Sequence, residues 1–559
     1  MSRNILKSSL KSASFSIIFQ IFCRCITFGI NAFIVRNVGR TVLGIMNVRL
    51  LLLESTLIFL SREAISRASL SSTTQKKNKS TWPQLINQIW TTVPICFILS
   101  APFLFIWLYA LSPVQDVYYA QYKFGCFAIA FSCIIEMCAE APVFVGQVFC
   151  FVKLKIVLDT LHILVRSLIF ITLVQKNSDI AIYAFGIAQL CSALTIIIGN
   201  YSFFHVYIKR LKRYRLDVSK RDNDTNFYGP YYEHMDDFPF NSIREMIPGG
   251  LTNTGNYFNS DLQVLILSFA KQGILKQVLT EGEKYVMSVS PVLKLDAQAT
   301  YDIVNNMGSL AARFIFRPIE DSSYFYFTQT IARDIELTEQ NREKVNETGE
   351  VLSNICKAVT SIGLLALVFG QSYAGTVLLL YGGSDFVSVD LPETLLRCHC
   401  LAIVLLAING ITEGYMFATN TSKQIDTYNY YMAIFSVTFL LLSYQLTNFF
   451  GPVGFIWANC TNMIFRISYS TYYIYKQYRP IGLSPLHGIL PGKLFSVVLL
   501  AMGIVCKVSQ TKILPKSILL HLLVGVVCTV ITLLAWGYEN KHLIRIGIEK
   551  YKTKKEKTS

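Results

Sequence analysis

The chain has 559 residues, 52% of them hydrophobic and only 15% charged, with a formal net charge of +16. Soluble domains are nearer one quarter charged, so this composition excludes an ordinary globular fold. Its apolar runs are continuous and do not alternate with polar residues, which excludes an outer-membrane-type barrel.

Runs of roughly 18–25 apolar residues match the length that carries a helix across the hydrocarbon core. They predict an all-α, polytopic membrane protein of about 14 transmembrane helices. Six spans are expected near 15–35, 42–60, 88–109, 121–140, 154–174 and 181–208. A polar break follows, opening with KRLKRYR (209–215) and continuing through FYGPYYEHMDDFPF (227–240). Six more spans fall near 261–290, 297–328, 351–380, 395–418, 429–447 and 451–475, and two near 489–506 and 517–538. The seventh and eighth are the most polar. Gly249-Gly250 and the Pro480–Pro485 stretch punctuate the larger joints. The organisation expected is an N-terminal lobe at 1–208, a basic cytosolic linker at 209–260, a C-terminal lobe at 261–478, and two closing spans with a basic tail at 479–559.

Topology accounts for the positive charge. With the N-terminus placed in the cytosol, about 32 Lys and Arg fall on cytosolic segments and about 7 on the opposite side. Both termini are therefore expected in the cytosol, and no nucleic-acid partner is expected. The basic start SRNILKSSLK runs straight into a full-length span, so no cleavable signal is expected. The N-x-S/T patterns at Asn78, Asn223, Asn346 and Asn420 fall in loops assigned to the cytosol, which predicts an unglycosylated chain. The ending Lys555-Glu556-Lys557-Thr558-Ser559 fits the K-x-K-x-x retrieval signal of the endoplasmic reticulum. Attraction of a lysine-rich tail to anionic lipid reads the same residues equally well. Most of the 14 cysteines lie within spans and read as buried thiols. Cys398-His399-Cys400 has the wrong spacing for zinc and no second pair, so no metal and no cofactor is expected.

Polar groups at bilayer depth are costly and must face protein or a water-filled cavity. Span one carries Gln20, Arg24, Thr27 and Asn31; span two carries Asn47 and Glu54. Glu136 and Glu140 follow in span four, then Lys155, Asp159, His162 and Arg166 along one face of span five. Span seven holds LKQVLTEGEKYVM (275–287), with Lys276, Thr280, Glu283 and Lys284 on one side. Glu281 is expected roughly 100–160° away and in need of another partner. Span eight presents Asp302, Asn305, Asn306, Ser309, Arg313, Arg317 and Glu320 as one stripe about 27 Å long. Span twelve adds Asn459, Asn462 and Arg466. Single ion pairs can simply hold a bundle together. Recurrence of stripes in both halves favours a wet central cavity. Arginine suits a phosphate-bearing cargo, because its guanidinium keeps its charge and offers paired donors.

The chain resembles the Rft family of dolichyl-diphosphate oligosaccharide (Man5GlcNAc2) translocation proteins. The likeness is carried by RCITFGINAFIVR (24–36), GIMNVRL (44–50), FLSREAISRA (59–68), FVKLK (151–155), LKQVLTEGEKYVM (275–287), YDIVNNMGSLAARFIFRPIED (301–321) and LLAINGITE (405–413). That family is similar to multidrug, oligosaccharidyl-lipid and polysaccharide exporters. The resemblance implies two six-helix lobes around a cationic cavity with access alternating between the membrane faces. It also implies residence in the endoplasmic reticulum membrane and a part in N-glycosylation. It makes Arg24, Arg36, Arg62, Lys153 and Glu281 candidate functional residues. Lys284 stands where the family commonly has arginine, and Ser66 where it often has a second arginine before Arg67. On this reading Arg24, Arg313 and Arg317 pair with diphosphate oxygens, and Asn31, Asn305 and Asn306 bind sugar hydroxyls. Arg166, Lys276 and Lys284 complete the candidate wall. The partners expected are the lipid-linked oligosaccharide and membrane lipid, with the protein a monomer. Alternatives are a non-transporting binder or chaperone of the same lipid, and an ion-coupled exporter using Glu54, Glu136 or Glu140. A lipid-donor glycosyltransferase needs acidic residues in its first lumenal loop. The loop near 36–41 has only Arg36 and Arg40, so no enzyme and no catalytic residue is expected.

Overall fold

The computed structural model describes residues 26–74, 81–111, 113–149, 151–216, 238–251, 257–289, 294–333 and 335–541. Among them every regular element is a helix and no strand occurs. A helix satisfies its own N–H and C=O groups, which is what apolar surroundings demand. α1 occupies 26–37. α2 runs through Arg40–Leu43, a π-helical stretch Gly44–Leu50, and Leu51–Thr74. α3 combines Trp82–Trp90 and Thr92–Phe105 and ends in the π-helical Ile106–Ala110. α4 is Asp116–Met137, α5 Glu140–Val148, α6 Val152–Lys176, α7 Ala181–Leu216 and α8 Ser260–Val289. α9 joins Leu295–Ala311, the π-helical Ala312–Phe316 and Arg317–Thr330. α10 is Arg342–Gly382, α11 Asp390–Thr419, α12 Ser422–Phe450, α13 Val453–Tyr478, α14 Lys493–Lys512 and α15 Ile518–Glu539.

Helix starts and stops follow local chemistry. Thr81 and Thr421 open α3 and α12 with capping boxes, the Gln84 and Gln424 side chains accepting from the cap N–H groups at 3.2 and 3.0 Å. Gly383 and Gly451 close α10 and α12 at φ values of +81° and +60°, a region closed to most side chains.

Nine helices in the described residues are long and apolar enough to cross a bilayer, or ten if α4 and α5 form one bent span. Apolarity alone therefore does not reach the expected count of about 14. α8, α9 and α13 have spanning length but carry the polar stripes, which dilute their hydropathy, and α1 is described only from residue 26. The basic run at 209–215 belongs to α7, which stays helical through Leu216.

Residues fall into two compact units, Met1–Pro291 and Val292–Ser559. In the first, α6 and α4 pack on α7, while α2 packs on α3, α4 and α8. α8 heads the second lobe in the sequence reading, but here it lies against α2 in the first unit. Both π stretches leave carbonyls for side chains to claim: Trp107 Nε1 donates to Arg49 O at 2.9 Å, and Tyr122 Oη to Trp107 O at 3.0 Å. An aromatic core of Trp82, Phe144, Phe149, Phe204, Tyr207, Phe238 and Phe240 holds 238–251 against α3, α5 and α7. Trp90 Nε1 fastens that segment by donating to Met246 O at 2.8 Å. In the second unit α11 is the centre, packing on α9, α10 and α13, while α14 and α15 pair and α14 rests on α10.

Gly488, in the short 3-10 turn Pro485–Ile489, lies directly on the Ser353 carbonyl of α10, and a Cβ there would overlap backbone. Gly488→Ala is expected to cost about 1–3 kcal/mol, as overpacking does. Gly414→Ala, inside α11 where a Cβ meets nothing within 4 Å, should instead gain about 0.5–1 kcal/mol from helix propensity. Thermal unfolding of the two purified variants checks the contrast.

Candidate functional site

The charged residues of the first unit converge because one helix breaks. Pro142 cannot donate to the carbonyl four residues back, so α4 ends at Met137 and α5 departs at 46°. Glu136 in the last turn of α4 and Glu140 in the first turn of α5 thereby face the same residue of α2. Arg62 Nη1 stands 3.6 Å from Glu136 Oε1 and 3.7 Å from Glu140 Oε2. These are ion pairs at distances too long for hydrogen bonds, so neither carboxylate takes up a guanidinium N–H. Arg67 pairs with Glu63 one turn back at 2.6 Å.

Around these groups lies a chamber of about 980 Å3, walled by α2, α4, α5, α6 and α7. α6 contributes Lys155, Asp159 and His162 at helical spacing, the face expected from the sequence. Gln147 and Asn200 add neutral polar groups. Among the described lining residues three cations, Arg62, Arg67 and Lys155, meet four carboxylates, Glu63, Glu136, Glu140 and Asp159. This chamber is of mixed sign. Next to it, Arg166 Nη1 donates to Gln189 Oε1 at 3.0 Å and lies 3.7 Å from Glu54. Gln189 Nε2 in turn donates to Glu54 at 2.7 Å. His162 Nδ1 is 3.0 Å from Ser192 Oγ, which donates to the His162 carbonyl.

The sequence-derived candidates separate on this framework. Arg62 is a chamber wall, and Arg166 sits one turn beyond it, held by Glu54 and Gln189. Lys153, Asn31 and Arg36 are exposed and do not line the chamber. Arg24 lies outside the described residues, as do the side chains of Lys276 and Arg313. Glu281 finds its partner on its own helix: Lys284 Nζ is 3.0 Å away. Three residues on is only about 60° around the helix, so the wider separation expected for Glu281 does not apply to this pair. Asn305, Asn306 and Arg317 lie on α9 in the second unit. Asn306 donates to Asp302 at 3.1 Å, and Arg317 pairs with Asp321 at 3.3 Å.

The expected single stripe on α9 does not continue through Glu320. The π turn at Ala312–Phe316, next to Pro318 with its missing N–H, takes in about one extra residue and rotates the rest of the helix by about 100°. Glu320 is thereby brought to the face of Gly308, the face that meets α11. Gly308 lies under His399, and Glu320 lies against Gly410. On α11 itself Glu413 is buried and shared: Tyr428 Oη donates at 2.5 Å, Asn409 Nδ2 at 2.9 Å, and Arg466 of α13 pairs with it directly.

Several of these groups carry no clear signal in the sequence. Gln189, Ser192 and Gln147 are uncharged, and only the seven-residue step from Glu140 to Gln147 hints at a shared face. Arg49 stands in the GIMNVRL motif, and nothing in that motif shows that its side chain is fully buried.

Comparison with known proteins fits this geometry. The family model described as Rft protein matches residues 8–550. The chain belongs to the Rft protein family. A relative in Drosophila melanogaster, named Man(5)GlcNAc(2)-PP-dolichol translocation protein RFT1, is 60% identical over 98% of both chains. Relatives of the same name in Xenopus tropicalis and Saccharomyces cerevisiae are 37% and 25% identical, over 97% and 86% of this chain and 96% and 85% of theirs. Two solved structures share the fold. An inward closed conformation of the lipid II flippase MurJ has a TM-score of 0.54 and 14% identity, covering 93% of this chain and 100% of its own. An inward-facing multidrug resistance transporter of the MATE family reaches 0.51 at 14% identity, covering 81% and 94%. This Rft protein is therefore a multi-pass membrane protein with a transporter fold.

Removing one member of a buried pair strands the other. Glu413→Ala should lower the stability of the Rft protein by about 3–5 kcal/mol. Replacing Glu413 and Arg466 together by leucine should recover most of that loss, as a four-way thermal-unfolding cycle would show.

Proposed function

We propose that this Rft protein carries dolichyl-diphosphate-linked Man5GlcNAc2 from the cytosolic to the lumenal leaflet of the endoplasmic reticulum membrane, exposing a polar site to each face in turn. The observation that carries the reading is Arg62. It stands at the wall of a large polar chamber inside a helical bundle, with both flanking carboxylates beyond hydrogen-bond reach. Charge-assisted donors of this kind suit diphosphate oxygens. The neutral groups Gln147 and Asn200 suit sugar hydroxyls. The name shared by relatives that match nearly the whole chain supports the same cargo.

The diphosphate is costly to bring through hydrocarbon, so an unassisted headgroup crosses slowly. A chamber that supplies counter-charge and hydrogen bonds lowers that barrier. Arg24, Arg313 and Arg317 are further diphosphate candidates, and Asn31, Asn305 and Asn306 further sugar candidates. Cytosolic termini follow from the excess of basic residues on one side. The mixed sign of the chamber also suits a carrier that holds the lipid without cycling, since Glu136 and Glu140 already compete for Arg62.

Transport separates the two roles. Purified protein in vesicles of defined lipid should speed translocation of radiolabelled dolichyl-diphosphate Man5GlcNAc2 well above protein-free vesicles. Arg62→Gln should slow it at least tenfold, with Arg62→Lys intermediate and both made at normal abundance. Rates equal to protein-free vesicles, with cargo still bound, would establish the non-cycling role.

A further inference from the structure

A second cavity of about 700 Å3 lies between α2, α3 and α8, wholly within the first unit. Ile274 and Val278 of its wall are exposed, so it is an open groove, and its volume is that of ligand pockets, which run to several hundred Å3. Its walls are Phe59, Leu60, Leu99, Phe103, Ile274 and Val278, with small residues between. They repeat at helical spacing: 56, 59, 60, 63 and 64 on α2, and 270, 273, 274, 277 and 278 on α8.

The few polar groups here are turned on one another. Thr56 Oγ1 donates to Leu52 O at 2.6 Å, so its 2.7 Å contact with Tyr285 Oη uses the tyrosine proton. Gln277 Nε2 then donates to Tyr285 Oη at 3.5 Å. Among the described lining residues the single charged one is Glu63, and Glu63 also lines the polar chamber. α2 thus borders both spaces, at successive levels along its length. The stretch 62–70 holds Arg62, Ser66 and Arg67, the stretch 56–64 holds Phe59, Leu60 and Ala64, and Glu63 stands where the two overlap.

We propose that the groove between α2, α3 and α8 holds the isoprenoid chain of a polyprenyl-diphosphate cargo whose headgroup occupies the neighbouring chamber. The proposal rests on the reading of the chamber as the headgroup site. A polar head covalently joined to an apolar chain needs a polar and an apolar space within about one helical turn of each other, and α2 places them so. Among the described residues that line the groove the one charge, Glu63, is taken up by Arg67, which leaves none for a second headgroup.

Gly273 gives a direct test. A Cβ there would meet Phe59 at 3.5 Å, an ordinary contact, so a larger side chain enters the groove without striking backbone. Leucine also favours the helix more than glycine does, so Gly273→Leu should fold. Two probes carry the same diphosphate chitobiose head, one on a full dolichyl chain and one on a short citronellyl chain. The wild type should bind the dolichyl probe at least about tenfold tighter in matched micelles, a difference of ~1.4 kcal/mol. Gly273→Leu should lose that preference and keep wild-type affinity for the citronellyl probe. Equal binding of both probes by the wild type, or a preference intact in the variant, overturns the groove and leaves the chamber reading standing. Failure of both probes to bind overturns both. A diazirine-bearing isoprenoid probe on the wild-type protein should label peptides of α2, α3 and α8. Labelling elsewhere, or its loss to excess phosphatidylcholine alone, assigns the groove to ordinary lipid and overturns the proposal.

Discussion

An ionised side chain inside a helical bundle must be compensated where it stands, and this requirement organises the first unit. Arg62 is placed between Glu136 and Glu140, Arg67 beside Glu63, and Arg166 within reach of Glu54. None of the pairs is arranged along a single helix face except Arg67 with Glu63; the others tie α2 to α4, α5 and α6. Compensation at bilayer depth therefore also fixes which helices neighbour one another. The same rule operates in the second unit, where Glu413 gathers Asn409, Tyr428 and Arg466.

Ion pairs alone would make a dry bundle. Departures from regular helix open it. The break before Pro142 turns two carboxylates toward one guanidinium, and the π stretches in α2 and α3 trade backbone bonds for contacts with Trp107 and Tyr122. These departures cluster where helices must offer polar atoms sideways, as π-bulges at functional positions commonly do. The chamber and the apolar groove are the two kinds of space that result, bordered at successive levels by α2.

Much of this is written in the sequence. The helical character follows from the length of the apolar runs, and the face of α6 with Lys155, Asp159 and His162 follows from spacing alone. The FLSREAISRA motif marks Arg62. What spacing does not give is the partner across a gap. Arg466 and Glu413 lie 53 residues apart, and no periodic rule joins them. Nor does an ideal period foresee a change in helix pitch, which is why Glu320 leaves its expected stripe. Short-range pairing competes as well: Glu281 meets Lys284 on its own helix in place of a distant group.

The π turn in α9 has a genetic corollary. On an unbroken α-helix Glu320, eighteen residues from Asp302, would return to the same angle after five full turns. A one-codon deletion within 312–316 would remove the residue that the π turn takes up. It would leave Glu320 seventeen positions from Asp302 on a regular helix, at the angle it already has and still against Gly410. Length variation of a single residue at this spot is then absorbed by helix pitch, so the acid keeps its neighbour whether or not the extra residue is present.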